Sequence, residues 1–402
     1  MECVIILTVR IRTGGHGIEH FQNRCSVKSR LEGHFRKWHM NWKQTFATIL
    51  SILHTINTQE MKYAFILLLS VCLITEASLA QDSHTPYLTK SLSKEKVSSV
   101  YARTSGGNIQ VSGVSAGEAR IEVYVNSNNN SMSKDEISRR LKEDYELKVE
   151  VSDNKLTATA EAERSFSDWK HSLNISFKIY VPAQVSTDLR TSGGGIELTN
   201  LSGTQEFTTS GGGLSLSKVS GKVRGKTSGG GISLKECKDD IVLNTSGGGI
   251  QAENCSGTLR LTTSGGSIEL TTLDGEIEAE TSGGPIRGEH IRGKLGAHTS
   301  GGQIKLRDLA CVIDASTSGG SIDAEIAEVV GSVTFNNSGG NIKLTMPSNR
   351  GLDLRLRGES ISTVKLQNFS GDQDDNSIHG KINGGGIPVS VSTSGRLTFA
   401  LN

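Results

Sequence analysis

Thr-Ser-Gly-Gly recurs with its threonine at residues 191, 209, 227, 245, 263, 281, 299 and 317, always eighteen residues apart. Asn337-Ser338-Gly339-Gly340 comes next, after a two-residue insertion. A short fixed period over such a span means coils that stack into a solenoid. Counted from the threonine, position 6 reads Ile196, Leu214, Ile232, Ile250, Ile268, Ile286, Ile304 and Ile322, the expected core ladder. Positions 8, 11, 15 and 17 are also mostly apolar, and Glu, Lys, Arg, Ser and Thr stand between them. Alternation at period two is the pattern of a strand with one buried face. The coil therefore reads as two strands, and the fold class as an all-β parallel β-solenoid with capping segments and one short helix.

Sixteen glycines mark one corner of the coil: Gly193, Gly194, Gly211, Gly212, Gly229, Gly230, Gly247, Gly248, Gly265, Gly266, Gly283, Gly284, Gly301, Gly302, Gly319 and Gly320. The other corner usually reads Ser-Gly or Asp-Gly, and the glycines of both corners are expected to supply positive φ where the chain turns tightly. The threonine has the parity of the inward positions and is expected to point in or to cap the turn. A single coil buries too little to order its own residues, so stability must come from stacking, and the end coils need caps against end-to-end polymerisation.

The rest of the chain divides around this repeat. Residues 61–80, MKYAFILLLSVCLITEASLA, carry one lysine, an apolar run and small residues before a cleavage point between Ala80 and Gln81, the pattern of a secretory signal peptide. The apolar run is too short for a bilayer span, and Val71 before Cys72 does not fit a lipobox. Residues 1–60 share no pattern with the remainder of the chain and read as a mis-assigned upstream extension. Residues 81–190 are strand-rich without the period and read as the N-terminal cap, 191–344 as the solenoid and 345–402 as the C-terminal cap. Within the first cap, Arg103-Thr-Ser-Gly-Gly already forecasts the repeat, Ser133–Glu136 is a capping box opening a helix to about residue 144, and Asp153-Asn154 turns a hairpin.

Composition and motifs exclude several functions. The 402 residues carry 43 basic and 42 acidic side chains, so no basic excess draws nucleic acid. No nucleophile elbow, P-loop or HExxH motif is present, and His84, His171, His290, His298 and His379 are scattered. Asp274, Asp308, Asp314 and Asp323 occupy different repeat positions, so no carboxylate pair of the kind that cleaves polysaccharides gathers. The aspartate place of calcium-binding nonapeptide rolls is taken by isoleucine. No catalytic, cofactor-binding or metal residue is expected, nor any cofactor. Phe207 and Phe335 are the sole aromatics between 191 and 344, too few to stack sugars along the repeat. Cys237 and Cys255 share position 11 on adjacent coils, within disulfide range, but read more readily as two core thiols.

The Thr-Ser-Gly-Gly-x-Ile-x-Leu pattern, after a strand ending in Val181-Pro182 and before Asn383-Gly-Gly-Gly and Thr393-Ser-Gly-Arg, resembles the bacterial "putative adhesin" family, a domain of unknown function. The resemblance covers about 100–402; Arg396 stands where a second glycine is usual. It implies a secreted or cell-envelope β-solenoid, with an envelope-stress sensor as another role open to such a domain, and it carries over no catalytic or binding residue.

The expectation is a non-enzymatic interaction scaffold, periplasmic or on the outer surface after signal cleavage. Its partner would be a protein or polysaccharide, without nucleic acid and without a membrane span in the mature chain. Glu197, Ser215, Ser233, Gln251, Glu269, Arg287, Lys305 and Asp323 would form its outward ladder. End-to-end self-association into an envelope scaffold is the alternative, and a polysaccharide-active β-helix enzyme comes third.

Overall fold

The computed structural model describes residues 85–127, 134–162 and 172–402, which belong to one compact unit, His84–Asn402. The upstream extension, the leader and the Ala80–Gln81 cleavage point lie outside the described residues.

The chain opens with β1 (Leu88–Ser91), β2 (Ser99–Thr104), β3 (Ile109–Val114) and β4 (Arg120–Ser127). Helix α1 (Lys134–Asp144) is next, then β5 (Tyr145–Ser152), β6 (Lys155–Ala162), β7 (Leu173–Pro182) and β8 (Ser186–Thr191). The β5–β6 hairpin turns at Asp153 and Asn154, both with positive φ, as two-residue hairpins require. On α1, Glu136 receives Arg139 at 2.8 Å and Arg140 at 2.7 Å, one helical turn away.

The repeat builds β9 (Ile196–Thr208), β10 (Leu214–Lys226), β11 (Ile232–Lys235), β12 (Lys238–Thr245), β13 (Ile250–Thr263), β14 (Ile268–Thr281), β15 (Ile286–Thr299), β16 (Ile304–Thr317), β17 (Ile322–Ile326), β18 (Val333–Asn337) and β19 (Ile342–Met346). Successive coils pair in parallel at the eighteen-residue offset, as Ile250 with Ile268 and Leu259 with Ile277. In most coils the two legs belong to one bent strand. The bend lies at position 10, where Asn200, Lys218, Glu236, Asn254, Thr272, His290 and Asp308 all adopt positive φ. A second positive φ lies at position 13, on Gly203, Gly221, Gly257, Gly275 and Gly293. Asp239 replaces glycine there, keeps a φ of 78°, and accepts the Gly221 N–H on its carboxylate at 2.9 Å; this coil is the one whose legs separate into β11 and β12.

The Thr-Ser-Gly-Gly corner is built differently from the sequence expectation. Its glycines have no positive φ; that conformation belongs to the opposite corner. What the second glycine of each pair provides is close approach: a Cβ on Gly248 would lie 2.1 Å from the Gly230 carbonyl oxygen, and one on Gly266 2.1 Å from that of Gly248. The first glycine has room, since a Cβ on Gly247 would meet nothing nearer than 3.5 Å.

The C-terminal part adds β20 (Leu352–Arg357), β21 (Ser360–Thr363), β22 (Phe369–Gln373), β23 (Ser377–Ile382), β24 (Ile387–Thr393) and β25 (Arg396–Leu401). Parallel stacking continues past residues 191 and 344 at both ends. Thr104 stands beside Thr191 and Ile109 beside Ile196, although residues 115–182 intervene in the chain. At the other end β24 and β25 stack on β18 and β19, and the earlier strands β20 and β21 lie outside them. Antiparallel partners close both ends: β5 on β6 and β4 on β7 at one, β23 on β20 and β22 on β23 at the other. The core runs the length of this stack, and Ile196, Leu214, Ile232, Ile250, Ile268, Ile286, Ile304 and Ile322 are all buried in it.

Candidate functional site

The position-7 side chains stand in one parallel register from Glu197 through Ser215, Ser233, Gln251, Glu269, Arg287 and Lys305 to Asp323. Each lies between buried neighbours at positions 6 and 8, so the pleat turns it outward. Parallel pairing sets them ~4.8 Å apart. Part of the ladder is internally satisfied. Gln110 donates to Glu197 at 2.6 Å, Gln251 to Glu269 at 3.3 Å, and Arg287 lies 3.6 Å from Glu269. Arg307, two positions along its coil, holds Asp323 at 2.5 Å. A shallow depression on this leg is edged by Glu269, Thr271, Arg287, Glu289, Lys305 and Arg307.

The other leg carries a pattern that the sequence analysis missed. Its outward positions 14, 16 and 18 read Lys222, Arg224 and Lys226 on β10 but Glu276, Glu278 and Glu280 on β14. Arg224 donates to Asp240 on the next coil at 2.8 Å, which holds that carboxyl below the usual carboxylate range. Lys294 likewise donates to Glu276 at 2.9 Å and lowers its pKa. Aligning the coils from position 14 onward exposes this banding in the sequence.

Outward aromatics sit on the N-terminal cap. Arg120 lies 3.8 Å over the Tyr180 ring and Lys178 4.8 Å over that of Tyr124. Glu122 accepts from Arg120 Nε at 2.7 Å and from Tyr124 Oη at 2.8 Å. Burial, with the Glu122 carboxylate beside it, pushes the Tyr124 hydroxyl up to about 12.

Cys237 and Cys255 are buried free thiols on adjacent coils, without a disulfide, and the Cys237 N–H donates to the Cys255 sulfur at 3.4 Å. The Cys237 thiol beside it and burial push the Cys255 pKa up. Cys311, which the sequence analysis did not single out, fills a position-13 glycine place and points into the core. Among the described residues no three His, Cys, Asp or Glu side chains are grouped to hold a metal ion. Asp274 and Asp308 belong to different ladders, and His290 contacts Asp308 at 3.1 Å on the exposed bend. No helix of the described residues is long and apolar enough to cross a membrane.

No protein-family model matches the chain. No curated protein matches it either. Among solved structures it is similar to a putative cell adhesion protein from Clostridium sporogenes, at 10% identity and a TM-score of 0.19, over 78% of this chain and 98% of that one. It is also similar to a putative adhesin from Bacteroides fragilis, at 13% identity and a TM-score of 0.23, over 78% of this chain and 96% of that one. Likeness at that level carries no argument about function.

Proposed function

We propose that this protein is a non-enzymatic interaction module of the bacterial cell envelope or surroundings, working as an adhesin does, by presenting a rigid polar face to a protein or polysaccharide. The observation that carries the reading is the outward ladder from Glu197 to Asp323, held in one register by a buried core. Equivalent positions repeated along a stiff stack favour many weak simultaneous contacts, whose avidity exceeds that of any one. The antiparallel closures at both ends of the stack favour a capped module over an end-to-end filament. The leader-like sequence at 61–80 supports export.

The test is protease shaving of intact cells that express the full chain with a C-terminal epitope tag, alongside cell adherence. Digestion from outside, with adherence weakened by joint Arg287→Ala and Lys305→Ala substitution, is the expected result. Protection until the envelope is opened would discard contact with external targets and leave a periplasmic scaffold or stress sensor.

A further inference from the structure

The C-terminal cap carries a grid in which two outward arginines stand among hydroxyls and an imidazole. On its outward face three neighbouring strands supply two residues each. Parallel pairing of β20 with β24 places Arg355 beside Ser390 and Arg357 beside Ser392. Antiparallel pairing of β20 with β23 places Arg355 beside His379 and Arg357 beside Ser377. The six line one shallow depression. The two arginines thus leave one strand with backbones ~7 Å apart, and hydroxyl- or imidazole-bearing residues stand on the strands ~5 Å to either side.

The guanidinium groups are available. Several arginines on the stack are engaged, as Arg224 is with Asp240, Arg287 with Glu269, Arg307 with Asp323 and Arg350 with Glu328, whereas Arg260 and Arg292 stand singly and without an ion pair among the described residues. Arg355 and Arg357 are exposed, and neither has an ion-pair partner among the described residues. Carboxylates edge the grid: Asp353 on the same strand beside Lys381, Asp372 beside His379, Asp374, which accepts from the Ser377 hydroxyl at 3.5 Å, and Glu359 two residues after Arg357. The acidic coil at Glu276, Glu278 and Glu280 lies five strands away through β15, β16, β18 and β24, roughly 24 Å, beyond the ~8–10 Å screening length of physiological salt.

We propose that this grid binds a carboxylated polysaccharide, in a site separate from the ladder and going beyond it by naming the ligand class. A guanidinium matches the planar carboxylate with two parallel hydrogen bonds. Ser377, Ser390 and Ser392 both donate and accept, which suits the hydroxyls of the same sugar chain. The depression is open to solvent and spans three strands, so it can seat part of an extended chain and does not enclose a small molecule.

The experiment uses protein purified from cells expressing the full chain and measures binding to polygalacturonate, to neutral dextran and to inorganic polyphosphate at physiological salt. Polygalacturonate alone should bind. Joint Arg355→Ala and Arg357→Ala substitution should weaken it by roughly tenfold or more, as expected on losing two charge-assisted contacts. Joint Arg260→Ala and Arg292→Ala substitution, elsewhere on the stack, should change it less than twofold. An unchanged melting temperature in both variants excludes unfolding. Equal losses in the two double variants, absence of binding, or tighter binding of polyphosphate would overturn the proposal. None of these outcomes depends on whether intact cells expose the protein.

Discussion

The Thr263 hydroxyl donates a 2.8 Å hydrogen bond to the Gly248 carbonyl of the preceding coil, and it accepts the Gly266 N–H of its own corner at 3.3 Å. The same bond recurs from Thr209 to Gly194, Thr245 to Gly230 and Thr299 to Gly284, so one buried hydroxyl ties each coil to the last. Asn337 does both tasks with an amide where threonine is absent: its nitrogen donates to Gly320 and its oxygen accepts from Gly340. Replacing Thr263 with valine keeps the shape but leaves the buried carbonyl and N–H unpartnered. That change should cost about 1–3 kcal/mol. Thr263→Ser should recover most of it. Urea midpoints of the three proteins check this, and a valine variant as stable as the serine one would remove the hydroxyl from the account.

The two glycines of each corner should respond unequally to alanine. At Gly248 the new methyl would lie 2.1 Å from the Gly230 oxygen, a backbone atom that cannot turn aside. The coils must separate there, and Gly248→Ala should lower stability by about 1–3 kcal/mol or more. At Gly247 the nearest atom is 3.5 Å away, so Gly247→Ala should be near neutral. Equal melting temperatures for the two variants would show that the corner is conformational after all, as the sequence alone suggested.

Most of the coil was legible because it depends on a single period: eighteen residues between threonines fix the register, and inward parity picks out Ile250 or Leu259 as core. The bend at position 10 was not legible. Its residues, from Asn200 through Lys218 to Asp308, share no chemistry, because their exposed side chains are free to vary while the backbone twists beneath them. The joining of distant segments was hidden for a different reason. Thr104 stacks on Thr191, and Thr393 reaches the Gly340 carbonyl, across excursions whose lengths do not follow the period. The Arg355–Arg357 grid was hidden with them, because it exists only once β24 returns beside β20.

Thr272 holds a φ of 55° on the exposed bend of its coil. A β-branched residue is strained in that region, whereas asparagine visits it readily, and Asn200 and Asn254 already occupy the equivalent place. Thr272→Asn should therefore stabilise the protein by about 0.5–1 kcal/mol, raising the melting temperature by about 1–3 °C. A lowered melting temperature would mean that the Thr272 side chain contributes a contact that outweighs its backbone strain.

Cys311 links the core to alkaline pH. The thiol is buried, and burial pushes it up to about 12. In the unfolded chain it titrates near ~8.5. Below that value both states hold the proton and the group adds no slope. Between about pH 9 and 12 the unfolded chain releases a proton that the folded one keeps, so folding stability falls as pH rises, by up to about 1.4 kcal/mol per pH unit for this group. Cys311→Ala should be less stable at pH 7, since it leaves a small cavity, yet it should lose less stability between pH 9 and 11. Urea unfolding of the two proteins at those pH values separates the effects. Parallel lines would mean that the folded protein releases the Cys311 proton as readily as the unfolded chain does, and so that water reaches this part of the core.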